Sequence, residues 1–287
     1  MQSRTTWRIV GVSVLAGIAA VLTYAVSADK PQAGAPTGTF LAPDAVAAEA
    51  APTAAAGQQI AAALQRAASA DKTLFAFIFE GNDEVTSTSR KGFENTVAKL
   101  GDQVQSTMLD RTAPSEKGFV SKHGLDRAPM PMVLAVAPNG AITGGFPAAQ
   151  ATEQRLRDSL ASPGLQECLK SLQERRLVMV CLQNNRTQAN EEAMKGVNDF
   201  KANSQFGSVT DIVKVDPSDP KEAKLLGQLQ ANPAANTATT AFLAPPGVLV
   251  AKVEGPTTKE ALAASLQKAM SSCAPGAGSG CCPAPKK

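Results

Sequence analysis

Two stretches of this chain repeat the same landmarks in the same order, and that repeat constrains its fold more than any other feature. Thr152, Leu156, Ser159 and Leu160 recur as Thr258, Leu262, Ser265 and Leu266, with identical internal spacing. In each set the threonine is placed to cap a helix, and the two leucines fall on one face of it. The segment before each set repeats as well. Ala137-Pro138-Asn139-Gly140-Ala141-Ile142 has its echo in Ala244-Pro245-Pro246-Gly247-Val248-Leu249. Both place turn residues between two apolar runs, which predicts a β-hairpin. A shared hairpin, cap and helix face, in one order, point to two copies of a single fold.

The upstream halves stay parallel. A predicted helix over 58–70 sets Ile60, Ala63, Leu64 and Ala67 on one face, and a second from Gly164 does the same with Leu165, Cys168, Leu169 and Leu172. Each runs through a polar break, Asp71-Lys72 or Glu174-Arg175-Arg176, into a continuous apolar run at 74–79 or 177–182. Such runs fit strands buried on both faces of a sheet. Helix, strand and helix then follow at 89–100, 103–109 and 115–123 in the first unit, and at 191–202, 212–215 and 220–229 in the second. The order β-α-β-α-β-β-α behind a leading helix predicts an α/β fold with a mixed sheet, in domains at 58–162 and 163–271.

The rest of the chain bears on location and partners. Hydrophobic residues are 44% and charged residues 18% of the 287, which suits globular cores with solvated surfaces. The net charge of +3 is scattered, with no basic run interleaved with aromatics, so a nucleic-acid partner is unsupported. Arg4 and Arg8 precede an uncharged stretch from Ile9 to Val26, and Val26-Ser27-Ala28 offers small residues for signal cleavage. At about 18 residues the stretch is near the lower limit for a spanning helix and long for a cleaved signal. Residues 1–28 thus read as a signal peptide or a membrane anchor. Both readings place the remainder outside the cytoplasm, periplasmic or secreted, with the arginines inside. Residues 29–57 are rich in Ala, Pro, Gly and Thr and read as a flexible linker.

The order of elements, together with Gly124-Leu125, Pro131 and Ala137-Pro138-Asn139-Gly140, resembles the thioredoxin fold. The specific likeness is to the stretch ending in the cis-proline and hairpin of membrane-tethered periplasmic thioredoxins and peroxiredoxins. The resemblance spans 58–270 as two copies. It implies a structural cis-proline at Pro131, after Met130, with Pro129 a competing candidate. It also implies a Cys-x-x-Cys after the first strand, where a helix N-terminus lowers the thiol pKa. Here the two loops, 80–89 and 183–190, contain no cysteine, and Ala238 stands where the second proline belongs. Both domains therefore resemble the non-catalytic domains of disulfide isomerases that serve as binding surfaces.

The residues able to carry chemistry are few. Cys168, on an apolar helix face, and Cys181, inside an apolar strand, read as core residues. Cys273, Cys281 and Cys282 lie in a Gly- and Pro-rich tail at 272–287, outside helix or strand. They admit a disulfide with one cysteine left over, a covalent link to a partner, or a soft-metal site. Three thiolates suit Cu(I), whereas structural zinc wants a fourth ligand. His123 ends a predicted helix, where a cation suits the dipole, or serves as an acid–base group. Asp83 and Glu84 lie in the cysteine-free loop as a solvated pair, an acid–base pair or a cation site. Asp216 and Asp219 belong to a Pro-rich turn, with Asp219 a candidate cap. The leading expectation is an exported, redox-inactive scaffold that binds a protein or peptide. The competing one is a thiol-redox or copper-handling protein working through its tail. An enzyme would need Asp83, Glu84 and His123 to converge.

Overall fold

The computed structural model describes residues 59–272. The signal or anchor, the linker and the tail cysteines Cys273, Cys281 and Cys282 lie outside the described residues. In the first unit α1 (Gln59–Ser69) leads into β1 (Thr73–Phe79), α2 (Glu84–Ala98), β2 (Val104–Asp110), α3 (Lys117–Lys122), β3 (Met132–Val136), β4 (Ile142–Pro147) and α4 (Glu153–Asp158). The second repeats it as α5 (Pro163–Gln173), β5 (Leu177–Leu182), α6 (Asn190–Asn203), β6 (Thr210–Val215), α7 (Ala223–Gln228), β7 (Thr239–Ala244), β8 (Val248–Glu254) and α8 (Lys259–Ser272).

The two four-stranded sheets run β2-β1-β3-β4 and β6-β5-β7-β8. In each, the first two strands are parallel and the hairpin strands antiparallel. Even the irregularities repeat: a register shift at Ala135/Val136 returns at Phe242/Leu243. These are two tandem thioredoxin-like domains, each with the leading helix.

Strand alternation explains the layers. In β1, Leu74, Ala76 and Ile78 face α1 and α3, while Phe75 and Phe77 face α2 and α4. In β5, Val178, Val180 and Leu182 face α5 and α7, while Met179 and Cys181 face α6 and α8. Phe77 packs on Phe93 at 5.4 Å between ring centroids, and Phe242 on Phe200 at 5.6 Å. Thr152 caps α4 through the Arg155 N–H, and Thr258 accepts from the Ala261 N–H at the start of α8. One expected boundary moves: α2 begins at Glu84, five positions before the predicted Ser89, because Asp83 supplies an N-cap that the apolar periodicity does not reveal.

The domains share α5. Ala137 and Ala141, on the β3–β4 hairpin, are buried in one cluster with Leu165, Cys168, Leu169 and Leu172. The Gln173 amide then completes the outer edge of β4. Its oxygen accepts the Ile142 N–H at 2.9 Å and its nitrogen donates to the Ile142 carbonyl at 2.7 Å. A side chain thereby does what a fifth strand would do for an open edge. Lys224 adds a bond to the Asp158 carbonyl across the same junction.

Candidate functional site

The end of the first sheet is where β1 and β2 finish and β3 begins. Ile78 pairs with Met132, so Glu80 lies level with the loop that ends in Pro131. The Met130–Pro131 peptide is cis. Asp83 closes the first turn of α2, its carboxylate accepting the Thr86 N–H at 2.7 Å. That backbone bond, with one from the Thr86 hydroxyl, holds the carboxyl below its usual range. Glu84 follows in the first helical turn, where its charge suits the dipole. The pair thus starts a helix rather than occupying a free loop.

Arg111, just past β2, ties this end together. It donates from Nε and Nη2 to the Glu80 carboxylate, and from Nη1 to the carbonyls of Ala128 at 2.9 Å and Leu125 at 3.2 Å. Sequence reasoning missed it, because Glu80 lies 31 residues away and the other partners are backbone carbonyls, which leave no side-chain signature. Arg111→Ala is expected to cost about 2 kcal/mol by urea unfolding, since it releases several charge-assisted bonds at once. It should also speed amide exchange across 125–130. Arg90 lies 4.5 Å over the Phe79 ring and donates to Asn82, stiffening the turn before α2.

The second domain treats the same place differently. Ala238 is the counterpart of Pro131: the Ala148 N–H donates to the Pro131 carbonyl, and the Gly255 N–H to the Ala238 carbonyl. Being alanine, residue 238 has an N–H, which donates to the Gln188 carbonyl at 2.9 Å. The Gln188 N–H in turn donates to the Asn236 carbonyl at 2.8 Å, giving a parallel bridge between Gln188 and Thr237. The chain's own backbone thus fills this edge. Pro131 has no N–H to make such a bond. The carbonyl of Pro129, counterpart of Asn236, accepts no hydrogen bond among the described residues. Around the second loop, Asn184 donates to Asp216, and hydrogen bonds from Asn184 and Ser218 hold the Asp216 carboxyl below its usual range. Asp219 caps the turn at Pro220–Glu222 through the Lys221 N–H.

His123 departs from expectation. It closes α3 but is no cation near neutral pH: burial, then Lys122 and Lys170, push its pKa down to about 4. Its ring packs on Phe119 at 4.5 Å. Lys170 belongs to α5, so one of the charges acting on the imidazole comes from the second domain. No hydrogen bond or ion pair among the described residues joins it to Asp83 or Glu84. The linkage sign follows from the lowered value. Between the ordinary 6.5 and about 4 the unfolded chain binds the proton that the folded one refuses. Stability should therefore be complete above pH 6.5 and fall as pH drops to about 4. Discounted for partial exposure, the loss should be about 1–2 kcal/mol. Comparing urea midpoints of wild type and His123→Phe across that range checks it, because the variant should lack this slope.

Cys168 and Cys181 are buried, and burial pushes their thiols up to about 12 and about 11. Neither reaches a helix N-terminus at a sheet end. Among the described residues no group of three or more His, Cys, Asp or Glu side chains is placed to hold a metal. No helix among them is long and apolar enough to cross a membrane.

No protein-family model and no curated protein matches the sequence. Solved structures similar to the chain include chloroplastic thioredoxin z, at 20% identity over 36% of this chain and 88% of that one, with a TM-score of 0.27. Zinc-bound human ERp44 is similar at 7% identity over 74% of this chain and 58% of its own, with a TM-score of 0.29. The first two thioredoxin domains of Saccharomyces cerevisiae Eps1p are similar at 8% identity, covering 69% and 92%, with a TM-score of 0.27. The fold assignment stands on strand order and register, not on these superpositions.

Proposed function

We propose that this tandem of thioredoxin-like domains is an exported binding or scaffold protein, not a thiol oxidoreductase, and that the open end of the first domain receives an extended segment of a protein partner. The observation that carries the reading is Asp83. An activated thiol needs the positive end of a helix, and at α2 that end already holds a carboxylate. The second domain supplies the template for an occupant. There Gln188 lies along 236–238 as an extended partner would, whereas the first domain leaves the Pro129 carbonyl open. Val85, 64% exposed in the first turn of α2, adds an apolar contact at that end. The N-terminal segment would tether this surface outside the cytoplasm.

Two measurements test the reading together. With dithiothreitol supplied, the protein should not accelerate insulin disulfide reduction. It should bind reduced, carboxymethylated α-lactalbumin, an extended-chain probe, and Val85→Asp should weaken that binding about tenfold, the scale of one buried aliphatic side chain. Catalysed insulin reduction would overturn the proposal. A combined Cys273→Ser, Cys281→Ser and Cys282→Ser variant should bind the probe as wild type does. Loss of binding together with loss of copper would move the function to the tail.

A further inference from the structure

Domains in one chain are generally joined by an exposed linker, and they move independently unless they share a well-packed boundary. Here the connection between α4 and α5 runs only from Ser159 to Ser162. It is anchored on both sides. Leu160 packs against the first domain's cluster around Phe75 and Phe77, and the next residue, Ala161, packs against the second domain's cluster. Ser159 is buried, and the Ser162 hydroxyl donates to Glu222 of the second domain. The first-domain hairpin reaches further. Ala137 and Ala141 belong to the same buried cluster as Val180 and Leu243, strand residues of the second domain. In return, the Gln173 amide holds both backbone groups of Ile142, and Lys224 of α7 donates to the Asp158 carbonyl. Each domain therefore finishes part of the other.

We infer that α5 and the β3–β4 hairpin lock the two domains into one cooperative unit, which opens as a whole rather than one domain at a time. Opening the first domain alone would strip the hairpin from the second domain's cluster and give apolar surface to water. Opening the second alone would remove α5 and bare the outer edge of β4. The lock keeps the sheet ends after β1 and after β5 at a fixed spacing, so a partner touching both meets one preformed surface. A partner bound at one domain then stabilises both, because it binds only the closed unit and lowers the population of every opening. The lock is independent of what the first-domain end receives, so either proposal can fail alone.

Native-state hydrogen exchange of the full chain, read by mass spectrometry, tests the lock. Phe93→Ala removes a ring that packs on Phe77, on the α2 face of the first sheet and outside the cluster at the junction. The slowest amides of β1 and β3 should exchange about 100-fold faster, and those of β5 and β7 should follow by the same factor. Val197→Ala, under α6, should act in reverse and speed β1 and β3 as much as β5 and β7. Should Phe93→Ala not fold, Phe93→Leu should give the same pattern at about tenfold. Acceleration confined to the mutated domain overturns the proposal. In a background carrying Ala137→Asp and Gln173→Ala, Phe93→Leu should speed exchange in the first domain only. If its effect still reaches β5 and β7, the coupling does not run through α5 and the hairpin, and the proposal fails.

Discussion

Gly196→Ala should destabilise the second domain by about 3 kcal/mol or more, because the added methyl group has no space to occupy. Gly196 lies where α6 crosses α8. A Cβ built there would sit 1.9 Å from the Thr257 carbonyl oxygen and 2.9 Å from the Thr258 nitrogen. Both are backbone atoms at the N-terminus of α8, so no rotamer change relieves the clash. The helices must part, and with them the packing of Val197 and Phe200 on Leu262 and Leu266. Helix propensity alone would favour alanine by about 1 kcal/mol, which only partly offsets this. Gly92 provides the control. It lies in the exposed face of α2 with nothing within 4 Å of a Cβ, so Gly92→Ala should gain about 0.5–1 kcal/mol. Urea unfolding of the two variants reads both effects. A Gly196→Ala midpoint equal to wild type would mean that α6 and α8 are not in the contact described.

The fold was legible because its signals are local and doubled. The threonine caps, the apolar strands and the Pro-Gly hairpins each have a short-range cause, and each occurs twice. The site was legible only in part. That no cysteine follows β1 or β5 can be read directly, but the start of α2 cannot. Its first turn, Glu84-Val85-Thr86-Ser87, lacks apolar periodicity, and a single Asp83 side chain decides where the helix begins. Arg111 and Gln173 were invisible for a different reason. Both act on backbone carbonyls or N–H groups far along the chain, and such partners have no sequence. His123 was misread because a helix-end histidine gains a proton only if the surroundings are solvated or acidic. Here burial is the main cause of its low pKa, with Lys122 beside it and Lys170 from the next domain adding to the effect. Ala238 is the instructive case. Read as a lost proline, it signals only absence, yet its N–H lets the second domain close its own edge.

Glu222→Ala should cost about 3 kcal/mol, while the matching change in the first domain should cost little. Both glutamates end a Pro-x-Glu turn, Pro220–Glu222 and Pro114–Glu116, and both are buried, at 5% and 4% exposure. Their surroundings differ. Glu222 accepts the Gly164 N–H at 2.9 Å and the Ser162 hydroxyl, so it satisfies the start of α5 at the junction between domains. Gly164 is required there, since a Cβ would stand 2.8 Å from Val215 and 2.9 Å from the Glu222 carboxylate. Removing Glu222 strands a buried backbone donor and frees α5, which carries Gln173 and Lys170 to the first domain. Glu222→Gln keeps one acceptor and should lose about half as much. Neither oxygen of Glu116 has a hydrogen-bond partner among the described residues. Glu116→Leu therefore removes a desolvated polar group without orphaning another, and should be neutral or stabilising by about 1 kcal/mol. If the two positions respond alike in urea, the repeat is symmetric at its buried acids and Glu222 does not hold the junction. If Glu222→Ala also exposes the amides of Ile142 and Ala141 to exchange, the loss has travelled through α5 to the neighbouring sheet.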